Sequence, residues 1–237
     1  MNLILLNHDD FITDDTVRLK GRRLEHIRTV HRAKADTQLR VGLLNGKMGH
    51  GLITHIDTGF VELTVSLTQP PPEQLPVTLL LALPRPKMLK RVLQSITSLG
   101  VKQIYLINSH RVEKSFWSSP LLQREHLHEQ LLLGLEQARD TILPEVHLRK
   151  LFKPFVEDEL PEIIKGTRAL VAHPSSERIM LLEPNQPTTL AIGPEGGFIP
   201  YEVDKLVEGG FTPFSFGERI LRVETAVPVL ISKFLPA

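Results

Sequence analysis

The chain contains no cysteine. That excludes disulfides, thiolate metal sites and a cysteine nucleophile. Aromatic residues make up 5% of its 237 residues, with a single tryptophan. No apolar run approaches the roughly 18 residues that a membrane-spanning helix requires. The opening Met1–Leu6 stretch has no basic residue and meets Asp9 and Asp10 at once, which does not fit a signal peptide. A cytoplasmic address is expected. There is no excess of charge: the formal net charge is +1. A globally basic nucleic-acid binder is therefore excluded, but a local basic patch is not. Several catalytic motifs are missing: His-Glu-x-x-His, the Gly-x-Ser-x-Gly elbow, a Walker loop, and Gly-x-Gly-x-x-Gly after a strand. Ser175-Ser176 lies in no nucleophile context. His126 and His128 stand two apart on different faces of a helix, so no metal site is expected.

What is present reads as two regions. Strands are expected at 2–6, 38–44, up to 56 and 60–67, with a helix over 21–32. Asn45-Gly46 signals a type I′ hairpin, and Asp57-Thr58-Gly59 turns the chain. Short strands and turns suggest a small antiparallel barrel. Nine basic residues from Arg18 to Lys47 face only Glu25 and Asp36. They form either a solvated face or a phosphate-contacting surface. Residues 70–76 then hold four prolines, a stiff linker. The expected domains are thus 1–69 and 77–237.

The second region alternates strand and helix. Val77–Leu83 is a continuous apolar run, as in a strand covered on both faces. Helices are expected over 87–99, 120–139 and 157–164, and strands over 103–108, 145–148 and 168–172. This predicts an α/β domain with a mainly parallel sheet. Three segments stand at strand ends: His173-Pro174, Gly193-Pro194-Glu195-Gly196-Gly197, and Ser215-Phe216-Gly217 running on to Ile220-Leu221. In such sheets ligands sit at the carboxyl ends of strands. Glycine backbone could hydrogen-bond an adenine edge and a ribose. Ile220 and Leu221 either sandwich the ring or are plain core.

Gly193–Gly197 followed by Gly217-x-Arg219-Ile220-Leu221-Arg222-x-Glu224-Thr225-Ala226 resembles the RsmE-like 16S ribosomal RNA uridine-N3 methyltransferases of the SPOUT superfamily. The resemblance covers the whole chain. It implies a SPOUT-type knotted α/β methyltransferase domain, with a deep trefoil knot, preceded by a PUA-like antiparallel β-barrel that binds RNA. It implies S-adenosylmethionine as cofactor, held by His173, Pro174, Gly193, Pro194, Glu195, Gly196, Gly197, Ser215, Phe216, Gly217, Ile220 and Leu221. It also implies ribosomal RNA or the small ribosomal subunit as partner, with Arg22, Arg23, Arg28 and Arg32 on the RNA face. Neither metal nor membrane is involved. SPOUT domains pair, and the apolar last helix, 224–234, fits a homodimer.

Methyl transfer from a sulfonium requires alignment and removal of one proton. Loss of the uridine N3 proton leaves charge on the uracil oxygens. Arg222 is the first candidate to stabilise it and Arg219 the second. Glu224 either takes the proton or holds an arginine; a loop-closing Arg222–Glu224 ion pair is the plain alternative. Three segments depart from the family pattern. Glu136-Gln137-Ala138-Arg139-Asp140 lacks the usual Gly-Arg pair, Pro84-Arg85-Pro86-Lys87-Met88 replaces a Gly-Lys-like opening, and Val223 stands where Thr is frequent. The rival readings are a non-catalytic RNA-binding or ribosome-assembly protein, and a diverged SPOUT methyltransferase with another RNA target.

Overall fold

The computed structural model describes residues 2–174 and 185–235; Ser175 and Ser176 lie outside them. The chain forms two compact units. One comprises Met1–Glu73 with Leu132–Leu143, the other Gln74–Leu131 with Pro144–Ala237.

In the first unit, β1 (Ile4–Leu6), β2 (Thr16–Leu19), β3 (Gln38–Leu43), β4 (Met48–Ile56) and β5 (Val61–Gln69) form one sheet in the order β1-β3-β4-β5-β2. The β3–β4, β4–β5 and β2–β5 pairs are antiparallel, but β1 lies parallel to β3. The sheet is therefore mixed rather than wholly antiparallel, and β1 and β2 stand at its two edges. It curls around α1 (Gly21–Thr29), which adds Leu24 and Ile27 to a core of Leu6, Val17, Val41, Ile53 and Leu63. β2 was not expected from sequence: it has only four residues, and its ladder partner β5 lies more than 40 residues on. The Asn45 turn is not type I′. Asn45 alone is left-handed, at φ +59°, and Gly46 N–H donates to Leu43 C=O at 2.8 Å. A left-handed third residue is the mark of a type II turn. The side chain of Asn45 accepts from Leu143 N–H at 2.9 Å, and its N–H donates to Thr141 C=O at 2.8 Å. With the bonds of Asn2 and Leu3 N–H to Glu136 C=O, they tie residues 132–143 to the first unit, whereas the sequence pattern places all of 77–237 in the second.

The second unit is built on β6 (Val77–Ala82), β7 (Gln103–Ile107), β8 (Glu145–Arg149), β9 (Arg168–Ala172), β10 (Thr188–Ile192) and β11 (Thr212–Phe214), in the order β11-β9-β10-β6-β7-β8. Every pairing is parallel. Central β6 buries Leu79, Leu80 and Leu81 completely, as its unbroken apolar run predicts. Around the sheet lie α2 (Pro86–Ser98), the first part of α3 (Arg124–Ala138), short α4 (Phe152–Pro154) and α5 (Leu160–Ile163), α6 (Pro200–Glu208) and α7 (Val223–Ile231). A π-type turn over Phe155–Glu159 joins α4 to α5, so the helix expected at 157–164 starts earlier and is irregular. α7 packs on α2 and buries Val223, Val227, Leu230 and Ile231. The chain runs outward from β6 to β8 and returns on the other side through β9 and β10. This places a reversal of strand order beside β6, where open α/β sheets bind ligands.

Candidate active site

β11, β9 and β10 are neighbours in the sheet, and their carboxyl ends release the three segments singled out in the sequence. Together these segments line a cavity of about 290 Å³. Every residue expected at the cofactor, from His173 and Pro174 through Gly193–Gly197 to Ser215, Phe216, Gly217, Ile220 and Leu221, lines it. Ile220 is 83% exposed and Leu221 36%, so neither is core. Both are available to cover a ring.

The β10 turn folds back closely on its own strand. A Cβ on Gly193 would stand 2.9 Å from the backbone nitrogen of Phe198, closer than real Cβ atoms approach. Gly197 takes φ +73°, where side chains are disfavoured, and its N–H closes the turn on Pro194 C=O at 2.7 Å. Gly196 is not left-handed. What constrains it is Arg111, whose Cδ would lie 2.8 Å from an added Cβ and whose guanidinium donates to Gly196 C=O. Glu195 Oε1 accepts from Arg85 N–H at 3.1 Å and so ties this turn to the loop after β6.

Three contributors were missed in the sequence. Arg111 and Phe198 line the cavity. Glu202, only 3% exposed, accepts from His110 N–H at 2.6 Å and Ile199 N–H at 3.0 Å. This carboxylate in the first turn of α6 complements the helix dipole and fastens the loop after β7. The available signal was position: Arg111 follows the carboxyl end of β7.

The charged candidates separate. Arg219 lines the cavity; Arg222 and Glu224 do not. Arg222 caps α7 and Glu224 lies in its first turn. Among the described residues neither makes an ion pair or a side-chain hydrogen bond, which overturns the loop-closing pair. Arg222 is an exposed cation at the positive end of a helix dipole, an unfavourable place unless an anion arrives.

The arginines of the first unit also separate. Arg22 forks onto Glu136 with bonds of 2.9 and 2.7 Å, and Glu136 is 1% exposed. Arg23 forks onto Asp10 at 2.5 and 2.6 Å and also donates to Leu5 C=O. These two hold the first unit together. Arg28 and Arg32 are exposed and have no side-chain partner among the described residues. Among those residues no cluster of three or more His, Asp or Glu could hold a metal ion. Nor is any helix long and apolar enough to cross a membrane.

A parallel sheet with a glycine-walled cavity at its carboxyl edge, in a chain that also carries a curled PUA-like sheet, is the SPOUT-type methyltransferase fold. The chain belongs to the RNA methyltransferase domain family, whose model matches residues 71–235. It is 25% identical to ribosomal RNA small subunit methyltransferase E 1 of Borreliella burgdorferi, over 95% of this chain and 94% of that protein. It is 27% identical to ribosomal RNA small subunit methyltransferase E of Treponema pallidum, over 95% and 87%. In structure it resembles the ribosomal RNA small subunit methyltransferase E of Neisseria gonorrhoeae, solved bound to S-adenosyl methionine. The TM-score is 0.80 at 20% identity, covering 98% of this chain and 95% of that one.

Proposed function

We propose that the chain methylates N3 of a uridine in 16S ribosomal RNA with S-adenosylmethionine as donor. The observation that carries this is the single cavity walled by all three strand-end segments. Its residues fit the donor: the Gly193 turn is a cradle that a Cβ would fill, and Ile192, Phe214 and Leu221 supply apolar walls. Gly193–Gly197 and Ser215–Gly217 would offer backbone groups to the adenosine, with Ile220 and Leu221 over its ring. Bound there, the donor supplies a methyl group already activated on a sulfonium.

The chain's own residues then align the acceptor and handle one proton. Arg222, exposed and without an ion-pair partner among the described residues, holds the uracil oxygen on which charge develops, and Arg219 extends positive potential to the cavity wall. Glu224 takes the N3 proton onto its carboxylate. The small ribosomal subunit is the partner, with Arg28 and Arg32 on the RNA face, and a cytoplasmic location goes with that substrate. The chain works as a homodimer; Val229 on α7 remains half-exposed after α7 has packed on α2.

The test is mass spectrometry of ribosomal RNA nucleosides from cells with and without the gene. 3-Methyluridine should disappear with the gene. Its persistence would sink the assignment.

A further inference from the structure

The carboxyl edge of the second sheet carries another cavity, of about 450 Å³, at the ends of β7 and β8. Among the described residues none lines both cavities, but they are neighbours. Arg111 faces the first while His110 and Val112 on either side of it line the second. Phe152 of the second packs its ring 6.4 Å from that of Phe198 in the first.

The second cavity has unusual contents. Ser109 is 3% exposed, and its Oγ finds no hydrogen-bond partner among the described residues. A buried hydroxyl without a partner is rare and requires an explanation. Asn108 Oδ1 accepts from Trp117 Nε1 at 2.9 Å, which fixes the indole and leaves the Asn108 amide group as a donor. Lys114 and Lys150 are exposed and have no hydrogen bond or ion pair among the described residues. Among the described residues no carboxylate lines the cavity.

Each feature matches one part of a nucleotide. An indole face stacks a base, at a strength that tolerates any sequence. A hydroxyl and an amide N–H suit a pyrimidine edge of carbonyls and imide. Two ammonium groups suit a phosphate. A purely apolar ligand would leave the lysines and Ser109 unanswered, and a cation would be repelled. We infer that this cavity receives a pyrimidine nucleotide of the substrate RNA, with its base on Trp117, its edge on Ser109 and Asn108, and its phosphate between Lys114 and Lys150. This rests on the RNA-methylation reading above.

Trp117 is the only tryptophan in the chain, so its fluorescence reports the site directly. The full chain would be titrated with uridine 5′-monophosphate, with inorganic phosphate, and with a fluorescein-labelled oligouridine. Saturable quenching by the nucleotide, and none by phosphate at equal concentration, is expected. Trp117→Ala should weaken oligouridine binding by about tenfold or more, the scale of one stacked base, and Trp117→Phe by far less. Ser109→Ala and the Lys114→Glu, Lys150→Glu double variant should weaken it as well, with S-adenosylmethionine affinity unchanged as the check on folding. If oligouridine binds while Trp117 fluorescence stays constant and the lysine reversals have no effect, the inference is overturned and the methyltransferase reading stands. If the chain binds the donor but neither the nucleotide nor ribosomal RNA, both fall.

Discussion

The cavity at β9, β10 and β11 and the arginine face of the first unit treat polar groups in opposite ways. The cavity is walled by glycine backbone, apolar side chains and two arginines: Arg111 is tied to Gly196 C=O, while Arg219 makes no ion pair or side-chain hydrogen bond among the described residues. The first unit commits its charge internally. Arg22 and Arg23 carry full bidentate forks on Glu136 and Asp10, while Arg28 and Arg32 are exposed and have no side-chain partner among the described residues. A positive residue in the sequence is thus not positive charge available to a ligand. Whether it is available depends on carboxylates that the fold brings from elsewhere.

The largest effect should come from the cavity side. Gly193→Val would drive a branched side chain into the Phe198 backbone, which cannot retreat without opening the turn. Binding of S-adenosylmethionine, measured by calorimetry, should fall by more than about a hundredfold. Circular dichroism should still show a folded chain. Retained affinity would mean that this turn does not hold the donor. Gly196→Ala is the finer probe: it meets only the flexible Arg111 side chain and should cost much less.

Next comes Arg222→Lys. Lysine keeps the charge but loses the planar fork. Turnover with saturating RNA should drop by roughly a hundredfold, the scale of one preorganised donor, with donor affinity unchanged. If Arg222→Lys stays near wild type and Arg219→Lys collapses, the cavity-wall arginine carries the role.

The first unit should answer in a different currency. Arg22→Ala strands a buried Glu136 carboxylate. Breaking a buried pair costs roughly 3–5 kcal/mol; Arg22 is itself 48% exposed, so about 2 kcal/mol is expected, read from urea unfolding. Arg28→Ala should change stability by less than about 0.5 kcal/mol. On RNA the order reverses: Arg28→Glu and Arg32→Glu should weaken binding a few-fold and flatten the salt slope by about one per lost phosphate contact. Equal stability losses at Arg22 and Arg28 would erase the contrast between the two sides.

What was legible in the sequence follows from the distance over which each feature is decided. β6 could be read because a strand covered on both faces must be apolar throughout. The Gly193 turn could be read because close approach within one loop leaves glycines behind. The Arg22–Glu136 pair spans 114 positions, and no local pattern records it. The same holds for β2, whose four residues become a strand through β5, and for the end of α3, which belongs to the first unit through the bonds of Asn2 and Leu3 N–H to Glu136 C=O. Arg111 fell between these cases. The end of its strand was read, but which side chain would cross to Gly196 was not.

Asp57 provides the smallest effect and a local counterpart to Glu136. Its partners lie within three residues: His55 at 3.0 Å, Gly59 N–H at 2.7 Å and Phe60 N–H at 2.9 Å. The hydrogen bond to His55, then those to the two backbone N–H groups, lower its pKa from 3.8 to about 2. A lowered carboxylate pKa means that the unfolded chain binds the proton more readily than the folded one. The contribution to stability is therefore fully present above about pH 4 and fades as the pH falls toward 2. Asp57→Asn removes this titration but keeps an oxygen for the turn. The variant should be slightly less stable than wild type at pH 6, and the two should converge as the pH approaches 2, as followed by urea midpoints. Because the group is open to solvent, with 44% of its side chain exposed, the gap should be small and should narrow further in salt. A gap that is constant from pH 6 to pH 2 would show that the turn depends on the shape of Asp57 and not on its charge.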